Sequence, residues 1–148
     1  SNIEWIESTQ KQYANIQAML GGIGAISLLV AAIGITNTMM MSIYERTKEI
    51  GVMKVLGCDM RNIQAMFLME AADIGLVGGI VGLGISYLIS MIINKVVAAS
   101  GNMSSLSYIP LWLAGASVIF AVVIGMAAGY FPSKRAMKLS PLAAIRNE

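Results

Sequence analysis

The sequence predicts an all-α membrane protein with three transmembrane helices, because charged residues are absent from three long stretches. There are 33 uncharged residues between Lys11 and Glu45, 21 between Asp73 and Lys95, and 38 between Lys95 and Lys134. A charged side chain at the centre of a bilayer costs roughly 2.5–3.5 kcal/mol, and a spanning helix needs about 20 apolar residues. Only 12% of the residues are charged, whereas soluble domains carry about 25%. These stretches are therefore expected to cross lipid as helices, which satisfy their own backbone hydrogen bonds.

The distribution of Lys and Arg predicts the orientation of the chain. Eight of the ten basic residues lie between the first and second stretches or after the third, and only Lys11 and Lys95 lie on the other side. The positive-inside rule makes the richer side cytoplasmic, so the N-terminus is outside and the C-terminus inside. An outside N-terminus without a signal sequence predicts at least one further spanning helix upstream in the intact protein. The alternative is direct translocation of a short, weakly charged N-terminus.

The stretches and their flanks divide the chain into seven segments. These are an extracytoplasmic stalk helix at 1–18, a transmembrane helix at 19–43, a cytoplasmic loop containing a helix at 44–73, a transmembrane helix at 74–94, a short outer loop at 95–110, a transmembrane helix at 111–131 and a cytoplasmic tail at 132–148.

The stalk prediction depends on apolar residues at helical spacing. Ile6, Tyr13, Ile16 and Leu20 share one helical face, so the first spanning helix is expected to extend outward and pack against another helix. The alternative is an interfacial helix, with Trp5 and Tyr13 at the level of the lipid headgroups.

The cytoplasmic loop holds nine of the 18 charged residues and carries helix start and stop signals. Ile50 and Met53 predict an apolar face on a short amphipathic helix, with Val55 or Leu56 as further candidate members of that face. Gly57 can end that helix in a left-handed cap, and Asp59 can cap the start of the next helix, which enters the second span. Physical chemistry alone leaves two possibilities for this loop, which are docking of a partner protein or a solvated connection lying on the membrane.

The tail is expected to begin where Pro132 ends the third spanning helix, because proline cannot donate a backbone hydrogen bond. Basic residues follow that can pair with anionic headgroups, namely Lys134, Arg135 and Lys138. Ser140 and Pro141 are then a cap and a first helical residue for a one-turn helix that ends at Arg146.

Small and polar residues inside the spans predict helix packing. The GxxxG pairs are Gly75/Gly79, Gly78/Gly82 and Gly125/Gly129. Such pairs let two helices approach closely, either within one chain or between two copies, and both possibilities stay open. Asn37 lies about six residues from the inner end of its span, roughly 9 Å deep. It is expected to pack against another helix, and a gating role is the alternative.

Three blocks of residues together resemble a known protein family. The first is GITNTMMMS at 34–42, with ERTKEIG at 45–51 and KVLG at 54–57. The second is the glycine-rich start of the second span at 75–84, and the third is GYFPSKRA at 129–136, followed by LSP at 139–141. In order and spacing, these blocks are similar to the MacB/FtsX-type ABC transporter permeases.

The resemblance implies a site, partners and cofactors that composition does not show. This chain would be the last three of the family's four spanning helices, in the cytoplasmic (inner) membrane of a bacterium. The loop helix would dock in a groove of an ABC-type ATPase, separate or fused, with Ile50 and Met53 as apolar anchors. The implied coupling residues are Glu45, Arg46, Thr47, Lys48, Glu49, Ile50, Gly51, Met53, Lys54 and Gly57. A second copy of the permease is the expected dimer partner, an extracytoplasmic adaptor is a further candidate partner, and ATP and Mg²⁺ would be bound by the ATPase, with no cofactor in this chain.

The motifs that are missing from the sequence narrow the function. There is no GxxxxGK[ST] nucleotide-binding loop, no histidine and only one cysteine, Cys58. We therefore expect a permease that is not itself an enzyme, and that couples a partner's ATP hydrolysis to export or to mechanotransmission toward an extracytoplasmic domain. The alternative is an FtsX-like regulator that activates an extracytoplasmic cell-wall hydrolase, and a third reading is a structural membrane anchor without an ATPase. Nothing in the sequence favours nucleic-acid binding.

Overall fold

The computed structural model describes residues 2–101 and 106–138, and within these ranges the secondary structure is helical. The helices are α1 (Asn2–Glu45), α2 (Thr47–Val55), α3 (Met60–Ala99) and α4 (Leu111–Met137). Of these, α1, α3 and α4 are long and apolar enough to cross a membrane. The predicted all-α fold with three spanning helices is therefore confirmed. The tail helix predicted from Ser140 onward lies outside the described residues.

Residues 2–34 form one of two compact units and consist of a single run of helix. Nearly all of their side chains are exposed, including Trp5 at 71% and Tyr13 at 65%. The helical nature of the stalk segment is therefore confirmed, because α1 begins at Asn2. Packing of the stalk against another helix, and its interfacial alternative, stay predictions.

The second unit contains the buried core, which lies at the end of the bundle where α2 sits. Side chains from all four helices meet there, and the buried members are Met39, Ile43, Ile50, Ile63, Phe67, Ala71 and Ala136. Phe67 is completely buried, and such burial stabilises by roughly 1.5–3 kcal/mol. We call this set the junction core, because it joins the ends of α1, α3 and α4 to α2.

Glycines bring α3 and α4 into direct backbone contact. A Cβ atom on Gly75 would lie 2.5 Å from the carbonyl oxygen of Ala121, and one on Gly125 would lie 2.6 Å from that of Ala71. A Cβ on Gly129 would overlap the side chain of Ala71. Because these contacts pair later residues of α3 with earlier residues of α4, the two helices are antiparallel.

The three GxxxG pairs have different surroundings. Gly79 faces α4, since a Cβ there would lie 2.9 Å from the Cβ of Ala121. Gly78 and Gly82 have no neighbouring atom within 4 Å of such a Cβ. The pairs Gly75/Gly79 and Gly125/Gly129 therefore pack within the chain, whereas Gly78/Gly82 faces away from α4.

The prediction that Pro132 ends the third spanning helix is wrong. The helix α4 continues to Met137 with Pro132 buried inside it. Proline removes the hydrogen bond to the carbonyl four residues earlier, which belongs to Ala128. The hydroxyl of Thr36 on α1 donates to that carbonyl instead, at 2.9 Å. A neighbouring helix thus replaces the missing donor, which is how proline is tolerated in membrane helices.

The predicted break between α2 and α3 is confirmed in detail. Gly57 has φ of 90°, and its N–H donates to the carbonyl of Lys54 at 3.1 Å. The N–H of Cys58 donates to the carbonyl of Met53 at 2.9 Å, which completes a Schellman motif. Asp59 then caps α3 by accepting from the N–H of Arg61 at 3.4 Å.

Candidate functional site

The candidate site is α2, and its inward face packs on the chain's own core. Ile50 is completely buried in the junction core and Gly51 is buried beside it. Met53 is half-buried and packs against the same cluster. The expectation that Ile50 is an exposed anchor for a partner is therefore corrected, because α1, α3 and α4 already cover its side chain.

The opposite face of α2 is open and carries apolar residues. Two of them, Val55 and Leu56, were candidates in the sequence for the face that contains Ile50, and the structure places them on the exposed side instead. Val52 is 50% exposed, Val55 63% and Leu56 80%. Lys48 and Glu49 are exposed among them. We call these five residues the outward face of α2. An apolar centre with charges beside it is typical of a protein-docking surface. The sequence contained the signal for this face, because a helical wheel places Val52 and Val55 on the side opposite Ile50.

Lys54 joins α2 to the end of α4. Its Nζ donates to the backbone carbonyl of Met137, the last residue of α4, at 2.7 Å. The carbonyls at a helix C-terminus have no helical partner and carry partial negative charge, so a lysine there is favourable. Burial lowers the pKa of Lys54 from its ordinary value. Lys54, which the family resemblance assigns to coupling, thus contacts the chain's own third spanning helix.

Arg46 joins the end of α1 to α3. Its Nη1 lies 2.6 Å from Oε1 of Glu70, and both side chains are about half-exposed. The hydrogen bond and the negative charge of Glu70 raise the pKa of Arg46. Exposed ion pairs contribute little to stability, so the pair mainly fixes the position of the chain as it leaves α1. Thr47 tightens the same turn by donating its hydroxyl to the carbonyl of Tyr44 at 2.8 Å.

These contacts connect α2 to every helix end around it. The junction core links α2 to the ends of α1 and α3, and Lys54 links it to α4. Among the ten residues implied for coupling, Glu45, Lys48 and Glu49 are exposed side chains on or next to α2. The other seven hold the segment in place.

Asn37 is placed differently from its predicted packing role. It is exposed, and it lines two surface cavities beside the end of α1. The neighbouring Thr36 makes the contact across helices. Thr36 lies on the same helix face as the buried residues Met39 and Ile43, whereas Asn37 lies next to that face and is exposed. Sequence reasoning did not single out Thr36 for this contact between helices.

Within the described ranges, no three His, Cys, Asp or Glu side chains lie close enough together to hold a metal ion. The thiol of Cys58 is free and exposed at the turn that follows α2.

The fold and the α2 site define a class of protein, a multi-pass membrane component with an exposed apolar helix face at one end of the bundle. Comparison with known proteins gives the family. Residues 21–141 match the FtsX-like permease C-terminal family, and the chain belongs to it.

Named relatives agree with this assignment. The chain is 42% identical over 127 residues to the uncharacterized ABC transporter permease MJ1507 of Methanocaldococcus jannaschii, covering 86% of this chain and 32% of that protein. It is 40% identical over 136 residues to the ABC transporter permease YtrF of Bacillus subtilis, covering 85% and 31%. It is 36% identical over 149 residues to the macrolide export ATP-binding/permease protein MacB of Neisseria gonorrhoeae, covering 98% and 21%.

The comparisons place the chain as a permease component of an ABC system in the cytoplasmic (inner) membrane. The chain spans from about a fifth to a third of the length of these relatives. MacB, as its name states, combines ATP-binding and permease parts in one protein.

Proposed function

We propose that this chain couples ATP hydrolysis by an ABC-type ATPase to movement of its spanning helices, and so to export or to mechanotransmission toward an extracytoplasmic domain. The observation that carries the proposal is the two-sided character of α2. Its outward face exposes Val52, Val55 and Leu56, while its inward face is buried against the ends of the spanning helices.

The outward face is the proposed contact with the ATPase. Its apolar side chains fill a groove of the partner, and Lys48 and Glu49 meet polar groups at the rim. The ATPase binds ATP and Mg²⁺, and its closure pushes on α2 at the cytoplasmic side, which the positive-inside rule assigns to this end of the bundle. The buried contacts of Ile50 and Lys54 then pass the movement to α1, α3 and α4.

The proposal includes two further partners, which the resemblance to the family suggests. A second copy of the permease completes a dimer, so that two α2 helices meet two ATPase subunits. An extracytoplasmic adaptor is a candidate receiver of the motion on the other side of the membrane.

The first test is a substitution on the outward face of α2 in the full-length protein. Leu56→Asp places a charge in the proposed contact without disturbing the junction core, since Leu56 is 80% exposed. We expect the variant to remain in the membrane but to lose the co-purifying ATPase, or, where the ATPase is fused, to lose coupled hydrolysis. Val96→Asp is the matched control, because Val96 is a similarly exposed apolar residue at the far end of α3. Normal coupling in Leu56→Asp would reject the proposal.

Cys58 offers a second readout that does not depend on a mutation in the contact. Its exposed thiol lies two residues beyond Leu56. In a background without other cysteines, bound ATPase should slow maleimide labelling of Cys58. A cysteine introduced at Val96 should label at the same rate with and without the ATPase, and equal rates at Cys58 would contradict docking at α2.

A further inference from the structure

A groove lies beside the ends of α1 and α4, and most of the residues that line it are not among those implied for coupling. Its volume is about 460 Å³, and the lining residues within the described ranges include Asn37, Met40, Met41, Tyr44, Thr47 and Arg135. These residues lie where charge-free stretches of the sequence end, since Glu45 and Lys134 are the first charges after the first and third stretches. The groove is thus at the boundary between hydrocarbon and headgroups.

The lining has a distinct apolar part and a distinct cationic part. Met40 and Met41 supply flexible apolar surface, which adapts to chains of irregular shape. Arg135 supplies a planar guanidinium, which binds a phosphate through two parallel hydrogen bonds. Tyr44 is 79% exposed, and tyrosine is enriched at headgroup level because its ring is apolar and its hydroxyl polar.

Basic residues outnumber acidic ones along this groove and the cavity next to it. A second cavity, of about 360 Å³, shares Arg135 and is also lined by Lys134 and Lys138. Within the part of the chain that the structure describes, none of these three side chains makes an ion pair. Glu45 lines a neighbouring shallow depression together with Asn37, but it is absent from the described lining of the groove that contains Arg135.

We propose that this groove is a binding site for one anionic phospholipid of the surrounding bilayer. The lipid phosphate binds Arg135, with Tyr44 at the rim, and an acyl chain lies along Met40 and Met41. Basic pockets between spanning helices are suited to anionic headgroups, because the cation neutralises charge while the helices hold the chains. Since the groove joins the end of α1 to the end of α4, an occupied groove would stabilise the arrangement of these two helix ends.

This site differs from general attraction of the basic tail to the membrane surface. General attraction would depend equally on Lys134, Arg135 and Lys138, because each adds one charge near the headgroups. A discrete site depends mainly on Arg135, the cation that lines the groove together with residues of α1. Lys138 lines only the second cavity and is therefore the matched control.

The test is native mass spectrometry of the full-length protein in mild detergent, titrated with phosphatidylglycerol or with phosphatidylcholine of the same acyl chains. We expect one phosphatidylglycerol to be retained in preference to phosphatidylcholine. Arg135→Gln should weaken that binding about tenfold, the effect of losing a charge-assisted hydrogen bond. Lys138→Gln should change it by less than about threefold, since it removes only long-range attraction.

Other outcomes would overturn the proposal. Equal losses in Arg135→Gln and Lys138→Gln would mean diffuse attraction without a site. No preference for phosphatidylglycerol would mean that the groove is empty or holds a protein segment. Displacement of the lipid by excess inorganic phosphate would mean a site for a free anion. Because Arg135 and Lys138 are both exposed, neither substitution is expected to impair folding, and coupling to the ATPase is not needed for the readout.

Discussion

The hydroxyl of Thr36 on α1 donates to the carbonyl of Ala128 on α4, at 2.9 Å, and this carbonyl is the one that Pro132 leaves without a helical donor. The proline therefore leaves an acceptor without its helical donor, and here a neighbouring helix supplies the replacement. A carbonyl without a donor in a membrane interior costs several kcal/mol. The contact thus ties the position of α1 to an irregularity in α4, and it makes Thr36 a specific partner of Pro132.

This relationship predicts a non-additive pair of substitutions. Thr36→Val keeps the shape of the side chain but removes the donor, and we expect a loss of about 1–3 kcal/mol in the free energy of unfolding. In a Pro132→Ala background the N–H of residue 132 can bond to Ala128, so Thr36→Val should be milder there by about 1 kcal/mol. Equilibrium unfolding in mixed micelles measures the cycle. Additive effects would mean that Thr36 stabilises the protein in another way.

A second prediction separates transmission from docking. Lys54→Met removes the bond to the carbonyl of Met137 but leaves the outward face of α2 unchanged. We expect the ATPase to bind normally while coupled hydrolysis falls several-fold, because α4 no longer follows α2. Leu56→Asp should instead lose both binding and coupling.

Lys54→Arg provides the control for this interpretation, because it keeps a cationic donor near the end of α4. Partial recovery of coupling in Lys54→Arg would support the role of the contact. Normal coupling in Lys54→Met would show that α4 receives the movement by another route.

The sequence predicted features that depend on neighbouring residues and missed those that depend on distant ones. Gly57 and Asp59 were interpretable because a left-handed cap and an N-cap are determined within a few residues. The role of Pro132 could not be interpreted in this way. The hydrogen bond that Pro132 cannot donate to Ala128 is replaced by one from Thr36, and Thr36 lies 92 residues before Ala128 in the chain. The burial of Ile50 also depends on residues that are distant in the sequence. Helical spacing placed it on an apolar face, but only tertiary packing shows that this face is covered by the chain itself.

A third prediction concerns the proposed dimer and two adjacent glycines. Gly79→Leu should disrupt the packing of α3 on α4, because even a Cβ at Gly79 would lie 2.9 Å from Ala121. Gly78→Leu should leave that packing intact, since the site of its Cβ is open. If the open face with Gly78 and Gly82 meets a second copy, Gly78→Leu should reduce dimer cross-linking at an unchanged unfolding midpoint.

The two variants distinguish the roles clearly when both readouts are taken. Loss of stability in Gly78→Leu would mean that Gly78 takes part in packing within the chain. Full cross-linking in Gly78→Leu would place the dimer contact elsewhere. Gly82→Leu repeats the test one helical turn further along the same face.

Polar contacts at the opposite end of α3 hold the start of α4. The amide of Asn94 donates to the carbonyl of Ser107 at 2.8 Å, and its oxygen accepts from the N–H groups of Leu106 and Ser107 at 3.0 and 2.8 Å. The hydroxyl of Ser90, itself buried, donates to that of Ser107 at 2.8 Å. One side chain therefore satisfies three backbone groups of the segment that leads into α4.

The fourth prediction is that Asn94→Ala loosens this segment without unfolding the bundle. Removing three hydrogen bonds should cost about 1–3 kcal/mol locally, so the amides of Leu106 and Ser107 should exchange with deuterium roughly tenfold or more faster. Asn94→Asp should preserve more protection, because its carboxylate still accepts from both N–H groups. Ser100→Ala is the control, since its hydroxyl bonds only to Val97 within its own turn. Unchanged exchange in Asn94→Ala would mean that the segment is held by Ser90 and the packing around it.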